Sequence, residues 1–168
     1  MAVSPHIEDR PALPYIALRD TLHRDYLWKV VPSALAEVQT SMERLNITPT
    51  GPPLVRYLAA DYESGEVEVH IGFPVAIATA PAHLDRLRIG ELPAGRYAVV
   101  IHQGPSSRLG DTMTLLLEWV HRQQLRFQTQ QQGNRTVWAG RVERYLVAPR
   151  TEPLPANWRT ELAILLKD

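Results

Sequence analysis

Two residues near the end of the chain carry chemistry on segments that alternate like strands: Tyr145 in "RVERYLVAP" and Glu161 in "NWRTELAIL". Trp158, Thr160, Leu162 and Ile164 share one face of the second segment, and Arg159, Glu161, Ala163 and Leu165 share the other. A carboxylate on a strand entering a core lies at a solvated edge, pairs with an arginine, or is kept for a ligand. In apolar surroundings it is desolvated, so its pKa rises or it takes a cationic partner. A cationic aromatic compound supplies such a partner, and Trp or Tyr faces add a cation–π attraction of about 0.5–2 kcal/mol. Tyr145 alternates with Val147, and Glu143 shares that face at the start of the strand. Its hydroxyl is placed to bond a ligand or Glu161, or to donate a proton; the alternative is a core tyrosine with its tip at the surface.

The four tryptophans extend this set. Trp138, in "RTVWAGR", is expected on a pocket wall. Trp28, ahead of the first helix, is expected to act as a lid, and Trp119 to be half core. His70, in "VEVHIGFPV", is either a hydrogen-bond partner in a crevice or a satisfied core histidine. Tyr57, in "GPPLVRY", completes the candidate ligand contacts.

Other chemistries find no support. With no cysteine there is no disulfide, thiolate or cysteine metal site. The six histidines show no metal-binding spacing. Nucleophile-elbow, phosphate-loop and dinucleotide fingerprints are missing, so no metal or cofactor is expected. Lys plus Arg equals Asp plus Glu at 18 each, leaving no field to attract nucleic acid or an anionic membrane. The charged N-terminus is not a signal peptide, and no run approaches the ~18 apolar residues of a membrane span. A cytoplasmic protein is expected.

The elements that must position these residues follow from periodicity. "PYIALRDTLH" (14–23) reads as a strand, and residues 31–47 as a helix with Leu35, Val38, Met42 and Leu45 at helical spacing. Pro32 and Ser33 are expected in that helix's first turn. "LVRYLAADY" and "EVEVHIGFPVAI" form a hairpin about Ser64-Gly65. The order then repeats: a strand over 95–105, a helix over 109–125, a polar loop over 128–134, and a hairpin from "RVERYLVAP" and "WRTELAILL". The expected fold is α+β: two β-α-β-β modules, roughly 6–77 and 88–168, in a single domain. A pseudo-twofold relates them, with an antiparallel sheet, helices on one side and a central ligand crevice. Overlaying the halves places His70 opposite Glu161.

The segments "GPPLVRY", "VEVHIGFPV", "LPAGRYAVVIHQGP", "LLLEWVHRQQL", "ERYLVAP" and "NWRTELAIL", in this order and spacing, resemble the GyrI-like small-molecule-binding domains. Such domains are also the effector-binding domains attached to some multidrug-sensing and AraC-type transcription regulators. The resemblance implies two β-α-β-β modules about a pseudo-twofold, with a pocket between them for apolar, often aromatic and cationic, compounds. It carries the family's acidic ligand residue onto Glu161 and its tyrosine onto Tyr145. In a hydrolytic branch that opens cyclopropane-bearing compounds, those two form the catalytic pair. Where relatives read "EVGFPV" this chain has "HIGFPV", and where they read "EVYWPL" it has "ELAILL". The resemblance points first to a stand-alone binding module for drug sensing or sequestration, acting as a homodimer or with a separate regulator. A ring-opening hydrolase and a gyrase-inhibitor-like interaction protein are the alternatives.

Overall fold

The computed structural model describes residues 4–76, 84 and 86–168. Among these residues ten strands and two α-helices form: β1 (His6–Arg10), β2 (Leu13–His23), α1 (Leu27–Arg44), β3 (Leu54–Asp61), β4 (Glu66–Pro74), β5 (Arg88–Leu92), β6 (Gly95–Gln103), α2 (Leu109–Arg122), β7 (Thr129–Gln132), β8 (Arg135–Trp138), β9 (Arg141–Val147) and β10 (Arg159–Leu165). One antiparallel sheet runs β1-β6-β10-β9-β3-β4-β2-β5, with the β7–β8 hairpin attached through β8 to β3. Its centre is the β3–β9 pair, in which Val55 lies opposite Glu143. On either side of that pair the order β6-β10-β9 mirrors β2-β4-β3, the strand arrangement of two β-α-β-β units about a pseudo-twofold. The first strand of each half crosses over: β1 pairs with β6 and β5 with β2.

Strand alternation divides the core between two faces of the sheet. On one face, α1 covers Ile16, Leu18, Val69 and Ile71 through Val31, Leu35, Val38 and Met42. On the same face α2 covers Ala98, Val100, Leu162 and Ile164 through Leu109, Leu116 and Val120. On the other face the sheet curls around Tyr15, Ala17, Leu54, Tyr97, Val142, Ala163 and Leu165. The two helices are therefore side by side over the sheet, with the central strands β3 and β9 between them.

Four expectations change. The helix expected from residue 31 starts at Leu27, so Pro32 sits inside it; Ser33 Oγ donates to the Val30 carbonyl at 2.9 Å. The helix expected over 109–125 ends at Arg122, and its Leu117 is 42% exposed, because the inward row is Leu109, Thr112, Leu116 and Val120. The polar loop at 128–134 is a hairpin, β7–β8, closed by Gly133 at φ 62° and Asn134. Finally, β1 precedes the strand expected at 14–23, and β5 precedes the strand expected at 95–105. Most of the stretch between the two expected modules lies outside the described residues.

Candidate functional site

Between the helices the sheet floor is open, and a cavity of about 760 Å³ occupies the gap. Helix α1 contributes Trp28, Val31, Pro32 and Leu35; the start of α2 and the turn before it contribute Ser106, Ser107, Leu109 and Gly110. The floor is Tyr57 of β3, Glu143 and Tyr145 of β9 and Thr160 of β10, with Trp158 just ahead of β10 and Arg150 also on the lining. The walls are therefore mainly apolar and aromatic, with few polar groups, a combination suited to a small organic molecule.

Glu143 is the carboxylate on that floor. Only 6% of it is exposed, and both oxygens are occupied: Tyr57 Oη donates to Oε1 and Tyr145 Oη to Oε2, each at 3.1 Å. Among the described residues it has no ion-pair partner. Burial pushes the Glu143 carboxyl above its ordinary value, against the Arg141 charge and the two hydroxyl donors, which act the other way. Burial and the Glu143 charge push both tyrosine phenols well above theirs. Trp28 stands edge-on to Tyr145 with ring centroids 5.9 Å apart and is itself 40% exposed. The Trp158 indole is fixed by donating to the Glu152 carbonyl at 2.8 Å.

Glu161 lies on the opposite face of the sheet. Arg144 binds it with two parallel hydrogen bonds of 2.9 Å, and Arg10 Nη1 adds a third at 2.8 Å. Burial raises the Glu161 carboxyl, but the Arg144 and Arg10 hydrogen bonds and charges outweigh it and hold the group below its ordinary value. The cause of its placement is register: Thr160 pairs with Tyr145, and Glu161 with Arg144. Residues directly opposite share a face, so a cavity that holds Tyr145 excludes Glu161.

The remaining candidates divide the same way. Tyr57, Tyr145 and Trp28 line the cavity; His70, Trp138 and Trp119 do not. His70 faces away from the helices, with Nδ1 2.7 Å from Tyr15 Oη, which itself accepts from Arg56 at 3.1 Å. Burial, then the charges of Arg56 and Arg19, lower its pKa to about 4. Trp138, expected on a pocket wall, is 7% exposed and packs under α2 with its ring centroid 5.9 Å from that of Phe127. Trp119 packs partly buried in the same cluster. Glu143 and Trp158 were readable from alternation: Glu143 shares the Tyr145 face of its strand, and Trp158 the Thr160 face of the next.

Among the described residues no three His, Asp or Glu side chains are grouped to hold a metal ion. None of the described helices is long and apolar enough to cross a membrane.

No curated protein sequence matches the chain. Solved structures do. The chain is similar to EcmrR as seen in a complex with DNA, with TM-score 0.77 and 17% identity, over 98% of this chain and 57% of that one. Against the EcmrR C-terminal domain alone the values are 0.73 and 16%, with 98% of each chain covered. SAV2435 bound to tetraphenylphosphonium matches at TM-score 0.66 and 11% identity, over 98% of this chain and 94% of that one. A hydrolase from Listeria innocua matches at 0.63 and 14%, over 98% and 92%. Identities this low speak for a shared fold. The family model described as a GyrI-like small molecule binding domain matches residues 4–167. With nearly the whole sequence matched, the chain belongs to the GyrI-like small-molecule-binding domain family.

Proposed function

We propose that the protein binds small, largely apolar aromatic compounds, preferentially cations, in the cavity between α1 and α2, and that it serves drug sensing or sequestration. The observation that carries this reading is Glu143: a buried carboxylate on an aromatic floor, held by two tyrosine hydroxyls, with no arginine or lysine among the described residues on its oxygens. An ionised carboxylate so placed is relieved by a cation entering from outside. Trp28, Tyr57, Tyr145 and Trp158 offer ring faces or edges for such a ligand's apolar body. The similarity in fold to SAV2435, solved with an aromatic phosphonium cation, adds support. The role assigned in sequence to Glu161 passes in this reading to Glu143.

The test is a tryptophan-fluorescence titration with tetraphenylphosphonium and with its neutral analogue triphenylphosphine oxide. The reading expects saturable quenching by the cation in wild type, weakened about 10- to 100-fold in Glu143→Gln, a loss of roughly 1.4–2.8 kcal/mol. The neutral compound should be indifferent to the substitution. Equal binding of the cation by both proteins would remove Glu143 from the role.

A second reading is favoured by one contact. Tyr145 Oη lies 3.1 Å from a carboxylate oxygen, the spacing of a proton donor and its conjugate partner, so a ring-opening hydrolase would use Tyr145 with Glu143. Incubation of a cyclopropane-bearing substrate with wild type and Tyr145→Phe decides it; no product from wild type ends this reading for that substrate.

A further inference from the structure

Arg141 precedes Glu143 by two residues on β9, so both project from the same face of the sheet. Its guanidinium lies 4.6 Å from the Tyr57 ring centroid and 4.8 Å from that of Trp138. Among the described residues it meets no carboxylate, and Nε is buried without a hydrogen-bond partner. Such a cation is costly unless a negative charge nearby repays its desolvation. The ring it covers supplies the route: Tyr57 is the phenol whose hydroxyl donates to Glu143 Oε1 at 3.1 Å.

We infer that Arg141 is a positioning residue for the ligand site, a cation held behind the Tyr57 ring that keeps Glu143 ionised without occupying the cavity. An arginine bonded directly to Glu143 would take the place of the ligand's cation. Held on aromatic faces instead, Arg141 acts through space and leaves the cavity side of Glu143 to the ligand. The inference rests on Glu143 being the ligand's counter-charge.

Few other groups bear on this titration. Tyr57 faces Glu143 from β3 and Tyr145 from β9; both phenols are pushed well above their ordinary range and remain neutral. The α1 lining is uncharged, β10 presents Thr160, and the remaining charge on the lining is Arg150. Among the described residues the acid on the floor whose charge answers pH is therefore Glu143, whose carboxyl burial raises. Its charged form binds the cation, so binding is present above its midpoint and falls away as pH drops through it.

The experiment is tetraphenylphosphonium affinity as a function of pH, read by tryptophan fluorescence, for wild type, Arg141→Met and Arg141→Lys. Arg141→Met should move the midpoint up by at least about one unit, so that affinity falls about tenfold between the two midpoints and recovers above both. Arg141→Lys keeps the charge and should keep the wild-type midpoint. Triphenylphosphine oxide should bind all three alike at every pH, whereas a damaged cavity would weaken it. Arg141→Gln replaces the Met variant if that one does not fold, with the same shift expected. A carbon-13 titration of the Glu143 carboxyl in the absence of ligand reads the same displacement. If tetraphenylphosphonium binds to none of the proteins but the carboxyl titration shifts, the ligand reading fails and the Arg141 effect stands. Coincident midpoints in wild type and Arg141→Met, or equal shifts in the Lys and Met variants, would overturn the inference.

Discussion

Two buried glutamates, 18 positions apart in sequence and on opposite faces of one sheet, answer burial in opposite ways. Glu161 is paid back by Arg144 and Arg10, and its folded pKa is lowered, so its contribution to stability is complete above the ordinary carboxylate pKa and disappears as pH falls through the folded value. Glu161→Gln leaves two guanidiniums without their carboxylate and should cost about 1–3 kcal/mol by urea denaturation at pH 7. Glu143 has the raised pKa, so the native state binds more protons than the unfolded chain between the two values, and stability falls as pH rises through that window. Glu143→Gln should accordingly raise the melting temperature at pH 8, by a few degrees, while weakening cation binding; a lower melting temperature would show that the charge is fully compensated within the protein. This is the expected opposition of stability and function at a binding site. His70 gives a third pH reading: with its pKa lowered to about 4, its neutral form favours folding above about pH 6.5, and that contribution shrinks as pH falls toward the folded value. Its ring resonances should stay in the neutral position at pH 5.5. The residue types of the site were legible in the sequence, and so was the face each one takes on its own strand. Choosing between Glu143 and Glu161 required the register between β9 and β10, which depends on contacts across a loop and not on either strand's alternation.

Elements with an apolar face were readable because burial imposes a period. Helices α1 and α2 and the hairpins β3–β4 and β9–β10 all carry one. The β7–β8 ribbon was not, since "TQQQ" is exposed throughout and pairing alone makes it a strand. Trp138 at the end of that ribbon follows suit: once β8 joins β3, its ring goes under α2 and away from the cavity. A glycine in β4 carries the sharpest packing demand. A Cβ on Gly72 would lie 1.9 Å from the backbone oxygen of Ile16, on the neighbouring β2, so the two strands pair closely only without a side chain there. Gly72→Ala should destabilise the protein by about 3 kcal/mol or more, seen as a fall in the denaturation midpoint with little change in slope. A variant as stable as wild type would mean that β2 and β4 are more loosely paired than described.

Across the whole molecule, duplication places the site. The central strands β3 and β9 meet at the pseudo-twofold, each half sets one helix on the same face, and the gap between those helices is the cavity. The exchanged strands β1 and β5 close the outer edges of the opposite halves, and Arg10 fastens β1 across β6 to Glu161. The pseudo-twofold was visible as a repeated element order, but the exchange was not, because nothing local in a short charged strand says which edge it will join. Since Glu161 belongs to this fastening and Glu143 to the cavity, isothermal calorimetry with tetraphenylphosphonium on wild type, Glu143→Gln and Glu161→Gln, at a temperature where all three are folded, separates the two carboxylates. Glu143→Gln should lose about tenfold or more in affinity, and Glu161→Gln should bind as wild type does. Retained affinity in Glu143→Gln with loss in Glu161→Gln would contradict this.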